Sequence, residues 1–236
     1  MRLPSRAVTL LAVAALPLTA LTACSSGSSA DGSTSAKPAH AKPKDPDAGL
    51  LTGSRLKRAL APASYFPAGF AADPSLSRDT GDTYRPQTTR TSAKPHCADL
   101  GATGWIDLAG TQSVSFAQSS SIDKDTSAEI DQEIDVFRGA TSADVMKALT
   151  KVVAACPSYT DSDTHSPVKV TGTSTPGLGD GAYTITLTDS AWEGGTTLIA
   201  ARTGTAVVTV LSTDGKDNGA ASARKLTERI LGSLKG

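Results

Sequence analysis

Residues 129–137 have the sequence EIDQEIDVF, and this short stretch decides the fold class. Its apolar residues Ile130, Ile134 and Val136 alternate with acidic residues, as in a strand whose side chains point to opposite faces of a sheet. We expect one face to be buried and the acidic face to be solvated, or else to meet a cleft or a cationic partner. The acidic residues are Glu129, Asp131, Glu133 and Asp135.

The segment after this strand predicts an amphipathic helix that ends before Pro157. Thr141 or Ser142 could cap its N-terminus. Its apolar residues recur at helical spacing and predict a buried stripe. They are Val145, Leu149, Val152 and Cys156.

Working outward, periodicity predicts further strands, a short helix at residues 54–61 and a final helix from about Asn218. Thr203-Gly204 suits a tight hairpin turn, and a Pro- and Thr-rich loop separates the first helix from a helical turn at residues 97–100. The further strands span residues 112–118, 168–171, 182–188, 197–202 and 206–212. The order α-β-β-α-β-β-β-β-α predicts an α+β fold with a central, largely antiparallel sheet of about six strands flanked by helices.

The N-terminus predicts an export signal. Arg2 and Arg6 precede an apolar stretch, residues 8–21, which is too short to span a bilayer as a stable helix. The sequence Leu21-Thr22-Ala23-Cys24 follows and resembles the lipobox of bacterial lipoproteins, in which the cysteine thiol receives a diacylglycerol. We therefore expect residues 1–23 to be a lipoprotein signal peptide and Cys24 to be lipidated, with the protein held at the extracytoplasmic face of the cell membrane.

Residues 24–48 contain the lipidated cysteine and a Ser-, Ala-, Pro- and Lys-rich stretch without large apolar side chains, which predicts a disordered tether. Residues 49–236 are long enough for a single globular domain. Cleavage before Cys24 removes two of the 23 basic residues, leaving 21 basic against 23 acidic residues and a net charge of −2. This balance gives no electrostatic case for nucleic acid as a partner.

Two cysteines remain in the predicted domain, Cys97 and Cys156. In an oxidising compartment we expect them to form one structural disulfide, with Cα atoms about 4.4–6.8 Å apart. A zinc site would need more ligands: His96 adjoins Cys97, but Cys156 has no neighbouring His or Cys. The bridge would dock the Cys97 segment, with Trp105 as a core anchor, onto the long helix.

Catalytic motifs are weak in this sequence, and no cofactor or metal is expected. Ser54 and Lys57 match the serine–lysine spacing of some hydrolases, but no companion motif of such enzymes occurs. The Asp-x-Asp pairs at 123–125 and 161–163 lack the later residues of a calcium loop, so hydrophilic loops are expected there.

Trp192 and Glu193 lie in an inter-strand loop and are candidate binding residues, together with Asp180. A large aromatic side chain on a loop can anchor a ligand, or it can fold back and cap the edge of the core. The sequence leaves both interpretations open.

The domain resembles the PknH-like extracellular sensor domain. The likeness rests on residues 51–70, which include Phe66-Pro67-Ala68-Gly69-Phe70, and on Pro176-Gly177-Leu178-Gly179-Asp180 ahead of paired strands with Arg202-Thr203-Gly204 at their turn. It implies an α+β domain with an antiparallel sheet and a cleft for an unidentified ligand. The family includes the extracytoplasmic domain of a serine/threonine kinase, which has two disulfides where this chain has one potential disulfide. The resemblance assigns no functional role to any particular residue of this chain. The PsbP-like α/β/α sandwich is a rival fold with a similar element order.

These patterns favour a non-catalytic sensor or binding lipoprotein, with a small ligand or a cell-envelope protein as its partner. A carrier of lipid or another hydrophobic molecule is the first alternative, because an aromatic content of only 4% leaves fewer bulky side chains to fill a cavity. A serine hydrolase acting on cell-wall material through Ser54 and Lys57 is the second.

Overall fold

The computed structural model describes residues 45–89, 96–103 and 106–235. The predicted signal peptide, Cys24, the tether up to residue 44 and Trp105 lie outside these residues. No helix among the described residues is both long and apolar enough to cross a membrane.

The described residues form an α+β fold around a single antiparallel sheet of eight strands, in agreement with the predicted class. The strands are β1 Phe70–Asp79, β2 Ser115–Asp123, β3 Glu129–Val136, β4 Ser158–Thr160, β5 Pro167–Ser174, β6 Gly181–Thr188, β7 Thr196–Thr203 and β8 Ala206–Ser212. Their spatial order is β1-β2-β3-β8-β7-β6-β5-β4. The helices are α1 Gly53–Ala59, α2 Ile106–Ala109, α3 Thr141–Ala155 and α4 Ala220–Leu234.

The prediction of about six strands was too low because it missed both edge strands. β1 lies where a loop was predicted; its sequence contains Pro74 and lacks alternation, and its register with β2 shifts between Asp73 and Arg78. An edge strand tolerates these features because one of its sides needs no partner. β4 has only three residues, too few for a periodic signal.

Helices α1, α3 and α4 lie close to their predicted positions, whereas the four-residue helix α2 was not predicted. Two local details also differ. Neither Thr141 nor Ser142 caps α3: the helix begins at Thr141, and the Ser142 hydroxyl donates to the Gly204 carbonyl oxygen at 2.8 Å. The β7–β8 turn lies one residue later than expected, since Thr203 pairs with Ala206.

Two apolar cores form, one on each face of the sheet. On one face α1 packs against β1 and β2, and α4 packs against β7 and β8. On the other face α3 packs against β5, β6 and β7. The central strands β7 and β8 are buried on both sides, so their sequences are almost continuously apolar or small.

The disulfide joins the second core to the segment ahead of β2. Cys97 and Cys156 are bonded, and their Cα atoms lie 5.6 Å apart, within the predicted range. Cys156 follows the last residue of α3 and is buried, and Cys97 begins a short 3-10 helix that ends at Gly101. The bridge therefore fixes Leu100, which is fully buried, against α3 and the sheet.

Replacing Cys97 or Cys156 by Ser should lower the free energy of unfolding by about 2–5 kcal/mol, because the bridge restricts a long loop in the unfolded chain. Urea unfolding of the mature protein in mild detergent measures this loss. Reduction of the wild type with dithiothreitol is the matched control, and it should bring the wild type close to the variants. Variants as stable as the oxidised wild type would contradict a structural role.

Candidate ligand-binding cavity

Two of the four acidic residues of β3 are buried, so the expectation of a solvated face was wrong for that half of the strand, whereas Glu129 and Asp131 are half-buried. Asp135 is 1% exposed and Glu133 is 7% exposed. Irregular segments between β1 and β2 pass over this part of the sheet: Thr103 hydrogen-bonds Glu133, and Ser113 hydrogen-bonds Asp135. These segments carry no periodic signal, so their position over the acids could not be predicted from the sequence.

The buried acids form the floor of an open cavity of about 560 Å³, which we call the carboxylate cavity. Arg78 and Arg85 are exposed and stand at its mouth. The lining consists mostly of charged and other polar residues. It comprises Ser77, Arg78, Asp79, Arg85, Gln112, Ser113, Phe116, Gln118, Glu133 and Asp135.

Burial dominates the electrostatics of the floor, because a charged carboxylate is disfavoured away from water. It raises the pKa of Glu133 to about 7 and that of Asp131 to about 6. Burial and the neighbouring Glu133 charge raise the pKa of Asp135 well above its ordinary value. Arg78 and Arg85 act in the opposite direction on Glu133 and Asp135 respectively, but their effects are smaller than that of burial.

One carboxyl oxygen of the floor lacks an N–H or hydroxyl donor. The Oδ2 atom of Asp135 is buried, and no such group of the described residues donates to it, although the Asp135 carboxyl group shares a hydrogen bond with that of Glu133. Leaving a buried polar atom unsatisfied costs about 1–3 kcal/mol, and such atoms are rare in native proteins. The arrangement therefore suits a ligand with a polar group that hydrogen-bonds Asp135.

The guanidinium groups at the mouth contact only neutral side chains. Arg78 donates to Gln118 Oε1 at 3.2 Å, and Arg85 stacks over the Phe116 ring, 4.6 Å from its centroid. Within the described part of the chain, neither arginine forms an ion pair. Asp79 is held instead by Lys57, with Nζ 3.1 Å from Oδ2, and by the Gly81 N–H at 2.7 Å.

Two of the predicted binding residues, Trp192 and Glu193, line a second cavity, of about 600 Å³, which we call the Trp192 cleft. Trp192 is half-buried and also packs against the core on the α3 side of the sheet. The side chain thus both caps the core edge and borders a cleft. Polar residues and glycines from three loops complete the lining. They include Asp123, Thr126, Ser127, Gly194, Gly195, Thr196, Thr213, Asp214 and Gly215.

The third predicted residue, Asp180, holds the β7–β8 hairpin. Its Oδ2 atom accepts a hydrogen bond from the Gly204 N–H at 2.7 Å and lies 3.4 Å from Arg202 Nη1. Gly179 beside it has φ +56°, and a Cβ atom there would lie 2.2 Å from the Arg202 carbonyl oxygen. Asp180 borders a smaller cavity, of about 270 Å³, so the structure does not bring it together with Trp192 and Glu193.

The other sequence motifs form no composite site among the described residues. Lys57 is paired with Asp79 rather than placed to activate Ser54. The side chains of Asp123 and Asp161 accept hydrogen bonds from backbone N–H groups two and three residues later, as in hydrophilic turns. Nowhere in residues 45–89, 96–103 and 106–235 do three or more His, Cys, Asp or Glu side chains group as they would around a metal ion.

Comparison of the sequence with known protein families and with curated proteins gives no match. The geometry of the carboxylate cavity is therefore the basis for treating it as a candidate site. The sequence pointed to its acids through their alternation in β3, but not to Arg78 or Arg85, which lie in a segment predicted as loop.

Replacing Glu133 by Gln should change how stability depends on pH. The pKa of Glu133 is about 7 in the folded protein and about 4.3 in an unfolded chain. Between these values the folded state holds a proton that the unfolded state releases, so raising the pH favours unfolding. Relative to Glu133→Gln, the wild type should lose on the order of 3 kcal/mol of stability between pH 4 and pH 8.

Urea unfolding at several pH values measures this difference. Glu228→Gln is the control, because Glu228 is half-exposed on α4 and forms only a surface pair with Arg224. A difference between Glu133→Gln and wild type that stays constant with pH would contradict the raised pKa.

Proposed function

We propose that this protein is a membrane-anchored extracytoplasmic lipoprotein whose single domain binds a small polar ligand and acts as a sensor or binding module rather than an enzyme. The observation that carries the proposal is the buried Oδ2 atom of Asp135, which receives no hydrogen bond from an N–H or hydroxyl group of the described residues, on the floor of an open polar cavity. A protein keeps such a buried polar atom at a cost in stability, and a ligand that hydrogen-bonds it offsets that cost.

The cavities favour a polar ligand over an acyl chain. The carboxylate cavity is lined by two arginines, three acids and several other polar side chains, and the Trp192 cleft by acids, hydroxyl groups and glycines. Lipid sites need extended apolar linings. The hydrolase alternative loses support because Lys57 is engaged by Asp79.

The anchor is inferred from the sequence of residues 21–24 and from the flanking signal-like stretch. The likeness to the PknH-like sensor domain supports the sensor role, since such a domain lies outside the membrane and is expected to receive a ligand. In this proposal, the sensor passes its signal to another protein of the cell envelope.

Replacing Cys24 by Ala should abolish lipid attachment. Cells labelled with radioactive palmitate should yield a labelled wild-type protein and an unlabelled variant, and the variant should leave the membrane fraction. Cys97→Ser is the control that retains the label. Labelling that persists in Cys24→Ala would contradict the proposed anchor.

Native mass spectrometry of the mature protein, extracted in mild detergent from its own cells, tests the binding function. We expect a fraction of molecules to carry a small polar compound, and Asp135→Asn to reduce that fraction at least fivefold. Asp144→Asn, at an exposed position on α3, should leave it unchanged. Retention of the compound by Asp135→Asn, or no compound at all, would contradict ligand binding at this cavity.

A further inference from the structure

The carboxylate cavity separates its charges by depth. Glu133 and Asp135, on the floor, are each less than one-tenth exposed. Arg78 and Arg85, at the mouth, are exposed. A ligand that enters this cavity therefore meets cationic groups first and acidic groups last.

The floor lacks donors. Each carboxyl group can accept about four hydrogen bonds. The described structure offers one hydroxyl group to each of the two acids, from Thr103 to Glu133 and from Ser113 to Asp135, and the two carboxyl groups also hydrogen-bond each other. No N–H or hydroxyl group of the described residues donates to Asp135 Oδ2. Neither lysine nor histidine is among the lining residues. An ammonium group would supply three donors, and its positive charge would favour the ionised form of both acids.

The mouth lacks acceptors. Each guanidinium group carries five N–H donors in a planar fork that matches a carboxylate. Arg78 uses one donor on the neutral Gln118, and Arg85 lies over Phe116. Asp79, the acid next to Arg78 in sequence, is held by Lys57. The two arginines are thus available to a carboxylate from outside the protein.

We propose that the carboxylate cavity binds a zwitterion of the amino-acid or short-peptide class, with its ammonium group on Glu133 and Asp135 and its carboxylate group between Arg78 and Arg85. The inference rests on the proposed function, because it names the ligand class of the same cavity. The cavity of about 560 Å³ is large enough for such a compound, since small-molecule sites span roughly 300–1,000 Å³. A purely cationic ligand would face two like charges at the mouth, and a purely anionic one would leave Asp135 Oδ2 without a cationic donor.

Binding of an ammonium group should release protons from the floor. The added positive charge lowers the pKa of Glu133 and Asp135, so the affinity should fall as the pH drops. An anionic ligand bound to protonated acids would show the opposite trend. The other charged groups around this floor are Glu129 and Asp131 on β3, Arg78 and Asp79 on β1, and Arg85.

The test uses the mature protein in mild detergent and a defined set of probes. Thermal denaturation is measured with the common amino acids as both enantiomers and with alanyl-alanine. The probe that raises the melting temperature most is then compared by calorimetry with two analogues, the amine that lacks its carboxylate and the acid that lacks its ammonium group. For alanine these analogues are ethylamine and propionate. Each analogue should bind at least tenfold more weakly than the zwitterion.

Variants assign each end of the ligand. Arg78→Gln and Arg85→Gln should each weaken zwitterion binding at least fivefold, and they should change binding of the amine analogue less than twofold. Both positions are exposed, so these variants should fold, which thermal denaturation verifies. The control is Arg224→Gln, half-exposed on α4, which packs against the opposite face of the sheet.

Glu133→Gln and Asp135→Asn should show the converse pattern, weakening zwitterion binding at least fivefold and binding of the acid analogue less than twofold. Wild-type affinity should rise at least threefold from pH 5.5 to pH 7.5. Protons released on binding should make the calorimetric heat depend on the ionisation enthalpy of the buffer.

Any of three results would overturn the inference. The first is that no probe binds, and the second is that the acid analogue binds as tightly as the zwitterion, with an affinity that rises as the pH falls. The third is that the arginine variants leave the affinity for the zwitterion unchanged. If these results occur while native mass spectrometry still finds a compound that Asp135→Asn displaces, the ligand class is wrong but the binding function stands. If that compound is also missing, both proposals fail.

Discussion

The antiparallel pairing of β3 with β8 is the interaction on which the rest of the domain depends. It runs from Ile130 opposite Ser212 to Val136 opposite Ala206, and it joins strands β1–β3 to the block formed by β4–β8. Because the chain leaves β3 through α3 and returns to it only at β8, this one ladder holds two otherwise separate strand groups in a single sheet. It also places β3 in the interior of the sheet, where the side chains from Gln132 to Val136 are buried.

The burial of the acids depends on this position together with the irregular segments that carry Thr103 and Ser113. Between β2 and β8, with these two residues above them, Glu133 and Asp135 lose water, and burial raises the pKa of both. The domain thus carries a group of carboxyls that opposes folding as the pH rises, and two apolar cores and a disulfide offset that cost. Buried groups that lower the stability of the fold are typical of binding sites.

The sequence predicted the parts of the fold that rest on periodicity. The stripe of Val145, Leu149 and Val152 marked α3, and the alternation in residues 129–137 marked β3, because packing against a core imposes these spacings. The same reasoning missed β1, whose burial is slight and whose Pro74 is tolerated only at an edge. The spacing of apolar residues reflects packing against a core. It therefore cannot predict a strand or helix that has little contact with a core.

The candidate cavity was predictable only in part. Alternation showed that the four β3 acids share a face, but whether that face is wet depends on irregular segments that carry no pattern. Arg78 joins Glu133 only because β1 pairs with β2 at Gln118, and Gln118 pairs with Glu133 in turn. Trp192 lies on a loop beside a cleft, as its sequence context suggested, whereas Asp180 holds a hairpin through contacts that arise from the tertiary structure.

The two edge strands of the sheet, β1 and β4, affect whether neighbouring copies of the protein aggregate when they are crowded on a membrane. The lipid anchor proposed at Cys24 would concentrate copies in two dimensions, where exposed strand edges could join sheet to sheet and start aggregation. Pro74 offers no N–H group on β1, the register shift between Asp73 and Arg78 interrupts its ladder, and β4 is only three residues long. Both edges are therefore poor templates for another strand, which should keep neighbouring copies apart even at high surface density.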